Sequence, residues 1–185
     1  LAVATCDAGP LQKARSTQVA LSTAEQGNLC GGTAVGVHTI LTAEHCVVFA
    51  EGEIFVDGQK AGLKVIAQDG QDHVLLSTTL TLKNIAKMGP PPQPADRVYL
   101  WGRPHGVEKI LYREGYYAGD VIDPMGKTWQ VYDLEIINGD SGSGVFDSKG
   151  RLIATLSIIL SQDARWRMAG TLGLRFTQEQ MELIK

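Results

Sequence analysis

The sequence of 185 residues predicts an all-β protein built from many short antiparallel strands. Glycine is frequent, with 21 residues, and short β-prone runs recur along the chain between turn signals. The dipeptides Asp57-Gly58 and Asp69-Gly70 are turn signals of this kind. Strands of this length and spacing favour an antiparallel sandwich or barrel over an α/β sheet. The predicted strand runs are 33–42, 53–56, 63–67, 73–77, 97–101, 109–113, 128–134 and 152–159.

A proline-rich segment divides the chain near its middle. Four of the five residues at 90–94 are proline, and proline cannot continue a strand ladder, so we interpret 88–96 as a semi-rigid connector. Strand signals lie on both sides of the connector, which predicts two β lobes. The predicted division is an N-terminal extension with the first strand region at 1–27, a first lobe at 28–87, a second lobe at 97–175 and a C-terminal helix at 176–185. Thr177 as N-cap, with Gln180 completing a capping box, predicts where that helix begins.

Composition argues against several classes of partner. The net charge is −3, from 17 basic and 20 acidic residues, and no basic cluster indicates a nucleic-acid site. The longest strongly apolar run, 152–160, is interrupted by Thr155 and Ser157 and is far shorter than the roughly 20 residues of a membrane span. No Cys-x-x-Cys spacing is present, so we expect neither a metal site nor a cofactor. No signal-peptide pattern opens the chain, so we expect a leader to be absent or already removed.

Ser141 is the first candidate for chemistry. Gly139, Gly142 and Gly144 surround it, and glycine lets a backbone turn its amide groups toward a substrate. Two such N–H groups form an oxyanion hole, which is worth roughly 2.7–4 kcal/mol per donor in characterised enzymes. The same residues are also turn formers, and an ordinary hairpin turn is an equally good interpretation of this segment alone.

A nucleophilic serine needs a base, and the chain has four histidines. His45 closes a strand-like run at the point where the strand breaks into a short turn. His38 and His105 lie in predicted turns, and His73 directly follows an acidic residue. A lone histidine is by default a surface or structural residue, so only its neighbours can single out His45.

Three motifs around these residues resemble the trypsin/chymotrypsin-like serine proteases. Cys30-Gly-Gly-Thr33 followed by Leu41-Thr-Ala-Glu-His45-Cys46 resembles the histidine region of that family. Asp72-His-Val-Leu-Leu76 is similar to its aspartate segment, and Gly139-Asp-Ser-Gly142 to its nucleophile motif. The chain order His, Asp, Ser is also that of the family. Only 69 residues separate Asp72 from Ser141, so the resemblance is to the compact bacterial or viral members.

The resemblance implies a fold and a set of roles. The fold would be two antiparallel six-stranded Greek-key β-barrels with the active site between them and a short C-terminal helix. Ser141 would attack a protein or peptide substrate, His45 would accept its proton, and Asp72 would orient the imidazole. The backbone amides of Gly139 and Ser141 would hold the oxyanion. Asp69 is the competing acid, although Asp69-Gly70 fits a turn better.

The family pattern also implies a disulfide between Cys30 and Cys46, which would leave Cys6 single. Such a bond indicates a secreted, periplasmic or otherwise oxidising compartment, and a viral origin is compatible with it. On cysteine count alone, three reduced buried thiols in a cytosolic protein would fit equally well. The resemblance does not indicate an oligomeric state.

Two features depart from the family. Mature trypsins begin with Ile/Val-Val-Gly-Gly, whose ammonium pairs with the aspartate before the nucleophile, and nothing at Leu1 has that form. Asp140 therefore needs another partner, because an unpaired buried carboxylate is costly.

The specificity pocket is the second departure. Spacing places Glu135 at its base, where an acid would favour a Lys or Arg side chain; a strand residue facing solvent is an equally good interpretation. Ser157, Ile159 and Gly170 would line the pocket walls, and a bulky Ile159 would favour smaller side chains.

Two other functions compete with an active endopeptidase. One is a catalytically inactive binding module that keeps the protease fold, although all three triad positions are intact here. The other is a different acyl hydrolase, but an α/β-hydrolase elbow requires glycine two residues after the serine and this chain has Ser143.

Overall fold

The computed structural model describes residues 9–24, 27–48, 50, 52–105, 107, 109–160, 168–172 and 176–184. Two curled antiparallel sheets of seven strands each make up most of this part of the chain. Three short helices accompany the sheets over the same ranges: α1 (Pro10–Arg15), α2 (His45–Val48) and α3 (Gln178–Glu182).

The first sheet has the strand order β5-β4-β1-β2-β3-β7-β6. Its strands are β1 (Gln18–Thr23), β2 (Gly27–Gly36), β3 (Thr39–Ala43), β4 (Ile54–Val56), β5 (Gln59–Lys60), β6 (Lys64–Gln68) and β7 (His73–Ser77). Strand β1 lies between β4 and β2, so part of the predicted extension 1–27 is an inner strand of this sheet. The bounds proposed for the two lobes remain predictions.

The second sheet has the order β12-β11-β8-β9-β10-β14-β13. Its strands are β8 (Arg97–Gly102), β9 (Leu111–Ile122), β10 (Thr128–Asp133), β11 (Gly144–Phe146), β12 (Leu152–Thr155), β13 (Ile158–Leu160) and β14 (Met168–Leu172). A single parallel bridge between Met88 and Leu152 ties the connector to this sheet.

The prediction of an all-β fold with two antiparallel sheets and a short C-terminal helix is confirmed, but each sheet has seven strands where six were expected. In the first sheet, the additional short strand β5 follows the turn at Asp57-Gly58, where both residues have positive φ. In the second sheet, the run 152–159 is two strands. Strand β12 pairs with β11, and after Leu156-Ser157 the chain changes partner and pairs with β14 as β13.

Two other predicted runs differ in length from the strands that form. The run 33–42 is interrupted by a turn at Val37-His38, which confirms the turn predicted around His38. The run 109–113 is the start of β9, a strand of 12 residues. Most of β9 is exposed or half-buried, so it lacks the apolar alternation by which a strand is recognised in sequence.

Apolar side chains of both sheets meet in one shared core. Val35, Leu41 and Leu75 of the first sheet pack with Trp101 and Phe146 of the second. The rings of Trp101 and Phe146 meet edge to face, with centroids 5.9 Å apart. This shared core fixes the position of one sheet against the other, which matters because the candidate residues come from both.

The C-terminal helix α3 begins as the sequence predicts. The Thr177 side chain accepts from the Gln180 N–H, and the Gln180 side chain accepts from the Thr177 N–H, which confirms the capping box. Over the described ranges, none of the helices has the length and apolar character needed to cross a membrane.

Candidate active site

His45 lies just beyond the C-terminal end of β3 in the first sheet. Strand β3 ends at Ala43, and the N–H groups of Val47 and Val48 donate to the Glu44 carbonyl, which turns the chain into α2 with His45 as its first residue. The next residue, Cys46, is buried and forms the predicted disulfide with Cys30 of β2. The turn that carries His45 is therefore covalently tied to the middle of the sheet.

Asp72 lies directly beside His45. Its carboxylate oxygens are 2.8 and 3.1 Å from His45 Nδ1, and the His45 backbone N–H donates to the same carboxylate at 3.0 Å. Asp72 has a φ of 66°, a left-handed conformation that is uncommon outside glycine and that places the side chain against the His45 turn. The Glu44 N–H donates to the Asp72 carbonyl at 2.9 Å, so the two turns are also joined through the backbone.

This geometry determines the protonation of the pair. Burial by itself raises the pKa of Asp72, but the hydrogen bonds from the His45 side chain and backbone, together with the charges of His45 and His73, outweigh it and hold the pKa below its ordinary value. An ionised carboxylate can only accept hydrogen bonds, so His45 Nδ1 carries the proton. In the neutral imidazole, Nε2 is then left as the basic nitrogen.

The competing acid, Asp69, is paired with a different histidine. Its carboxylate is 2.8 Å from His73 Nδ1, and both side chains are completely buried. His73 Nε2 lies 3.2 Å from Thr171 Oγ1 of β14 in the second sheet. Asp69 and His73 thus form a buried pair that links the loop carrying Asp72 to the opposite sheet.

The segment 139–144 with Ser141 belongs to the second sheet but is held against the first. The Gly31 N–H of β2 donates to the Ser141 carbonyl at 2.8 Å. A Cβ on Gly142 would lie 2.1 Å from Thr42 Oγ1 and 2.3 Å from the Gly31 carbonyl, so only glycine permits this approach. Because Thr42 is three residues before His45, the contact brings the Ser141 loop to the turn that carries the imidazole.

The amide groups of this loop fall into two sets. Those of Asp140, Gly142 and Ser143 donate to protein carbonyls at 2.8–3.0 Å. Those of Gly139 and Ser141 have no acceptor among the residues that the structure describes. These are the two donors that, according to the family resemblance, would form the oxyanion hole.

Arg113 is the partner of Asp140. Asp140 is 1% exposed, and the guanidinium of Arg113 binds both of its carboxylate oxygens: Nη1 donates to Oδ2, and Nη2 donates to Oδ1 at 2.8 Å. The Ile137 N–H adds a third donor at 2.8 Å. A side chain at Gly102 would collide with this pair, since its Cβ would lie 2.0 Å from Asp140 Oδ1. An internal arginine thus supplies the positive charge that the sequence analysis found missing.

Sequence analysis did not identify Arg113, because no local motif surrounds it. The close approach of Gly102 to both side chains is a structural signal that a single sequence does not carry.

A cavity of about 290 Å³ lies beside Ser141. Its lining is half aliphatic and half polar: Ile136, Ile137, Leu156 and Ile158 on one hand, and Asn138, Asp140, Ser141 and Ser157 on the other. Ser157 is 3% exposed, and its hydroxyl has no hydrogen-bond partner within the described part of the chain.

The structure does not bring Glu135 to this cavity. Glu135 is exposed, whereas its neighbours Leu134 and Ile136 are buried, so Ile136 faces inward in its place. Gly170 is paired with Ile158 in the sheet, and its carbonyl accepts from the Ser157 N–H at 3.2 Å. The backbone of Ile159 pairs with Ala169 in β14, and its side chain lies outside what the structure describes. Cys6 also lies outside the described residues.

One group of possible metal ligands is close to the site. Cys30, His45 and Cys46 place their ligand atoms within 4.8 Å of one another. Zinc sites use cysteine thiolates, and here both sulfurs are joined in the disulfide, so we assign no metal to this group.

Comparison with known proteins gives a family and a fold. The sequence matches the trypsin-like peptidase domain family over residues 30–154. A sequence search of curated proteins found no match.

Solved structures are similar over nearly the whole chain. An inactive, serine-to-alanine form of Rv3671c from M. tuberculosis H37Rv superposes with a TM-score of 0.75 at 14% identity, covering 100% of this chain and 96% of that one. The active form of the Rv3671c protease gives 0.76 at 17% identity, covering 95% and 83%. The HtrA-type protease AlgW, solved with a decapeptide, gives 0.77 at 17% identity, covering 96% of this chain and 66% of that one.

Proposed function

Because the chain belongs to the trypsin-like peptidase family, we propose that it is a serine endopeptidase with Ser141 as nucleophile, His45 as general base and Asp72 as the orienting acid. The observation that carries this proposal is the pair of hydrogen bonds that His45 Nδ1 donates to the Asp72 carboxylate, at 2.8 and 3.1 Å. They fix one tautomer of the imidazole on the same strand end against which the Ser141 loop is packed.

The reaction would follow from this arrangement in two halves. Ser141 Oγ attacks the carbonyl carbon of the substrate peptide bond while His45 Nε2 takes the hydroxyl proton, and the carbonyl oxygen becomes an oxyanion. The imidazolium then gives that proton to the departing amine, which leaves an acyl-enzyme. Water, deprotonated by the same nitrogen, hydrolyses the ester and restores Ser141.

Charge stabilisation would come from two sources. The carboxylate of Asp72 stabilises the imidazolium without taking its proton. The N–H groups of Gly139 and Ser141, which have no acceptor among the described residues, are two residues apart on the loop that carries the proposed nucleophile. Donors that are already unpaired and held by the fold need no reorganisation when the oxyanion forms.

The cavity beside Ser141 supports a preference for an uncharged aliphatic residue immediately before the cleaved bond. Its lining includes Ile136, Leu156 and Ile158, and Glu135 is exposed elsewhere. A peptide library therefore should yield cleavage after small to medium aliphatic residues. Enrichment of Lys or Arg at that position would instead support the pairing with Glu135.

The disulfide supports an oxidising compartment as the place of action, and a peptide or protein is the proposed partner. AlgW, one of the structurally similar proteases, was solved with a decapeptide. Intact mass before and after reduction of the protein isolated from its source should differ by two hydrogens, mapping to Cys30 and Cys46.

A fluorophosphonate probe tests the central proposal. The wild-type protein should be labelled, and mass spectrometry should locate the adduct on Ser141. Ser141→Ala should lose both labelling and peptide hydrolysis while keeping its unfolding temperature. A folded wild-type protein that neither hydrolyses peptides nor reacts would favour the inactive binding module, and an adduct on another serine would reject the nucleophile.

A further inference from the structure

The segment 103–105, which follows β8, packs directly on the loop that carries Ser141. The His105 backbone N–H donates to the Asn138 carbonyl at 2.7 Å. This carbonyl belongs to the peptide group that joins Asn138 to Gly139. In a trans peptide the C=O and N–H point in opposite directions, so this bond directs the Gly139 N–H away from His105.

Gly139 is closely confined by the same segment. A Cβ on it would lie 2.4 Å from the His105 nitrogen and 3.1 Å from the Arg103 carbonyl, and its φ of +96° is one that L side chains rarely adopt. Its own N–H has no acceptor among the described residues. The segment therefore contacts one side of this peptide and leaves its donor unpaired.

Residues 103–105 and Val107 are themselves anchored to the first sheet. His105 Nδ1 lies 2.8 Å from the Asn28 carbonyl of β2, and Asn28 Nδ2 donates back to the Val107 carbonyl at 3.3 Å. Arg103 adds an ion pair with Asp57, 3.3 Å long. All three contacts reach from the second sheet to the first, so the position of the Asn138–Gly139 peptide depends on both sheets.

We propose that the backbone N–H of His105 is a positioning group for catalysis: it holds the Asn138–Gly139 peptide in the orientation that presents the Gly139 N–H to the oxyanion. The inference rests on the proposed function, because it requires an oxyanion to form at Ser141. Without this bond, the peptide can rotate so that its carbonyl, instead of its N–H, faces the reacting oxygen. His105 acts on the reaction only through that peptide.

The local fold provides a substitution that removes this one donor. The Val107 N–H donates to the Pro104 carbonyl at 3.0 Å, which closes a turn with His105 at its second position. Proline is favoured at that position of a turn and has no N–H. His105→Pro therefore deletes the donor to Asn138 and keeps the turn, and its Cδ, which takes the place of the amide hydrogen, also pushes the Asn138 carbonyl away from its position 2.7 Å from the nitrogen. His105→Ala is the matched control, because it removes the imidazole contact with Asn28 and retains the N–H.

The expected result separates turnover from substrate binding. His105→Pro should lower kcat at least about fivefold to tenfold relative to His105→Ala, since the loss of one hydrogen bond alone accounts for a factor of that size, with KM changed less than twofold. The affinity of a peptide aldehyde, which forms an oxyanion on Ser141, should fall by the same factor as kcat. The affinity of the corresponding peptide alcohol, which forms none, should stay unchanged.

Three results would overturn the inference. The first is a kcat of His105→Pro equal to that of His105→Ala. The second is an equal loss of affinity for the aldehyde and the alcohol, which would indicate general distortion. If His105→Pro does not fold, NMR of the wild-type protein decides. The inference requires a scalar coupling across the hydrogen bond, between the His105 ¹⁵N and the Asn138 carbonyl ¹³C. Absence of this coupling overturns the inference. A wild-type protein without turnover or Ser141 labelling rejects the proposed function itself, and this inference with it.

Discussion

Replacement of Arg113 by methionine is expected to destabilise the protein through Asp140. The variant keeps an unbranched apolar stem and deletes both guanidinium hydrogen bonds to a carboxylate that is 1% exposed. The Ile137 N–H remains as a donor to that carboxylate, at 2.8 Å. The buried charge is then left with a hydrogen bond but without a counter-ion.

The size of the destabilisation follows from the two hydrogen bonds that the variant loses. Hydrogen bonds to charged groups are worth about 1.5–3 kcal/mol each, so the two lost bonds amount to about 3–6 kcal/mol. Removal of one partner from a buried ion pair costs about 3–5 kcal/mol, in agreement with that sum. For a chain of 185 residues, 1 kcal/mol shifts the melting temperature by about 2–4 °C. Arg113→Met should therefore melt roughly 10 °C below the wild-type protein, and turnover should fall because Asp140 directly precedes Ser141.

Thermal unfolding followed by circular dichroism, together with the fluorophosphonate labelling rate, measures both effects. The control is Asp140→Asn in the Arg113→Met background, which removes the unpaired charge and should restore at least half of the lost stability. The reasoning is refuted if Arg113→Met melts within 2 °C of the wild type, or if the double variant is less stable than the single one.

Three further predictions concern pairs of side chains in the first lobe. The pKa of Asp72 is lowered in the folded state. Its ionisation therefore stabilises the fold above the ordinary carboxyl pKa of about 3.9, and this stabilisation is lost as the pH falls through the folded pKa. Asp72→Asn should flatten this acid loss of stability and lower kcat about 10⁴-fold, as in characterised triads. Reduction of the disulfide between Cys30 and Cys46 should lower the melting temperature by roughly 10 °C, from about 3 kcal/mol for a loop of ~17 residues, and the Cys30→Ala/Cys46→Ala variant should not respond to reductant. His73→Phe leaves the buried Asp69 carboxylate without its imidazole partner and should cost about 1.5–3 kcal/mol, the worth of one hydrogen bond to a charged group. Adding Asp69→Asn should recover part of this loss, and an unchanged melting temperature would contradict the buried pair.

The sequence predicts those parts of the fold that depend on local chemistry. Asp57-Gly58 predicts a turn because both residues adopt positive φ, and the β4–β5 hairpin forms around it. The length of β9 is not predicted, because most of its side chains are exposed or half-buried and its pairing with β8 and β10 depends on distant segments. The change of partner after Leu156-Ser157 is likewise a property of the sheet and not of the run 152–159.

The candidate site also contains residues that a local motif identifies and residues that only the tertiary structure brings together. His45, Asp72 and Ser141 each lie in a short motif, so a single sequence is enough to propose them. Arg113 reaches Asp140 only because β8 and β9 pair with Leu100 opposite Arg113, a register that no local pattern encodes.

Spacing along the chain does not determine which way the Glu135 side chain faces. Counting back from the nucleophile places it at the base of a pocket, but exposed and buried residues alternate along 133–137. This alternation turns Glu135 outward and Ile136 toward the cavity.

The position of the Ser141 loop follows from a simple requirement. The proposed base and nucleophile come from different sheets, so the loop must be fixed to the first sheet as well as to its own. Backbone groups do most of this: the Gly31 N–H donates to the Ser141 carbonyl at 2.8 Å, and the Gly144 N–H donates to the buried side chain of Gln18 at 2.9 Å. A Cβ on Gly31 would lie 3.1 Å from the Ser143 Cα and 2.0 Å from its Oγ, so the sheets can approach this closely only because glycine occupies the contact. Glycines on both sides of this contact thus let the Ser141 loop approach the first sheet, while two of its amide groups, those of Gly139 and Ser141, have no acceptor among the described residues.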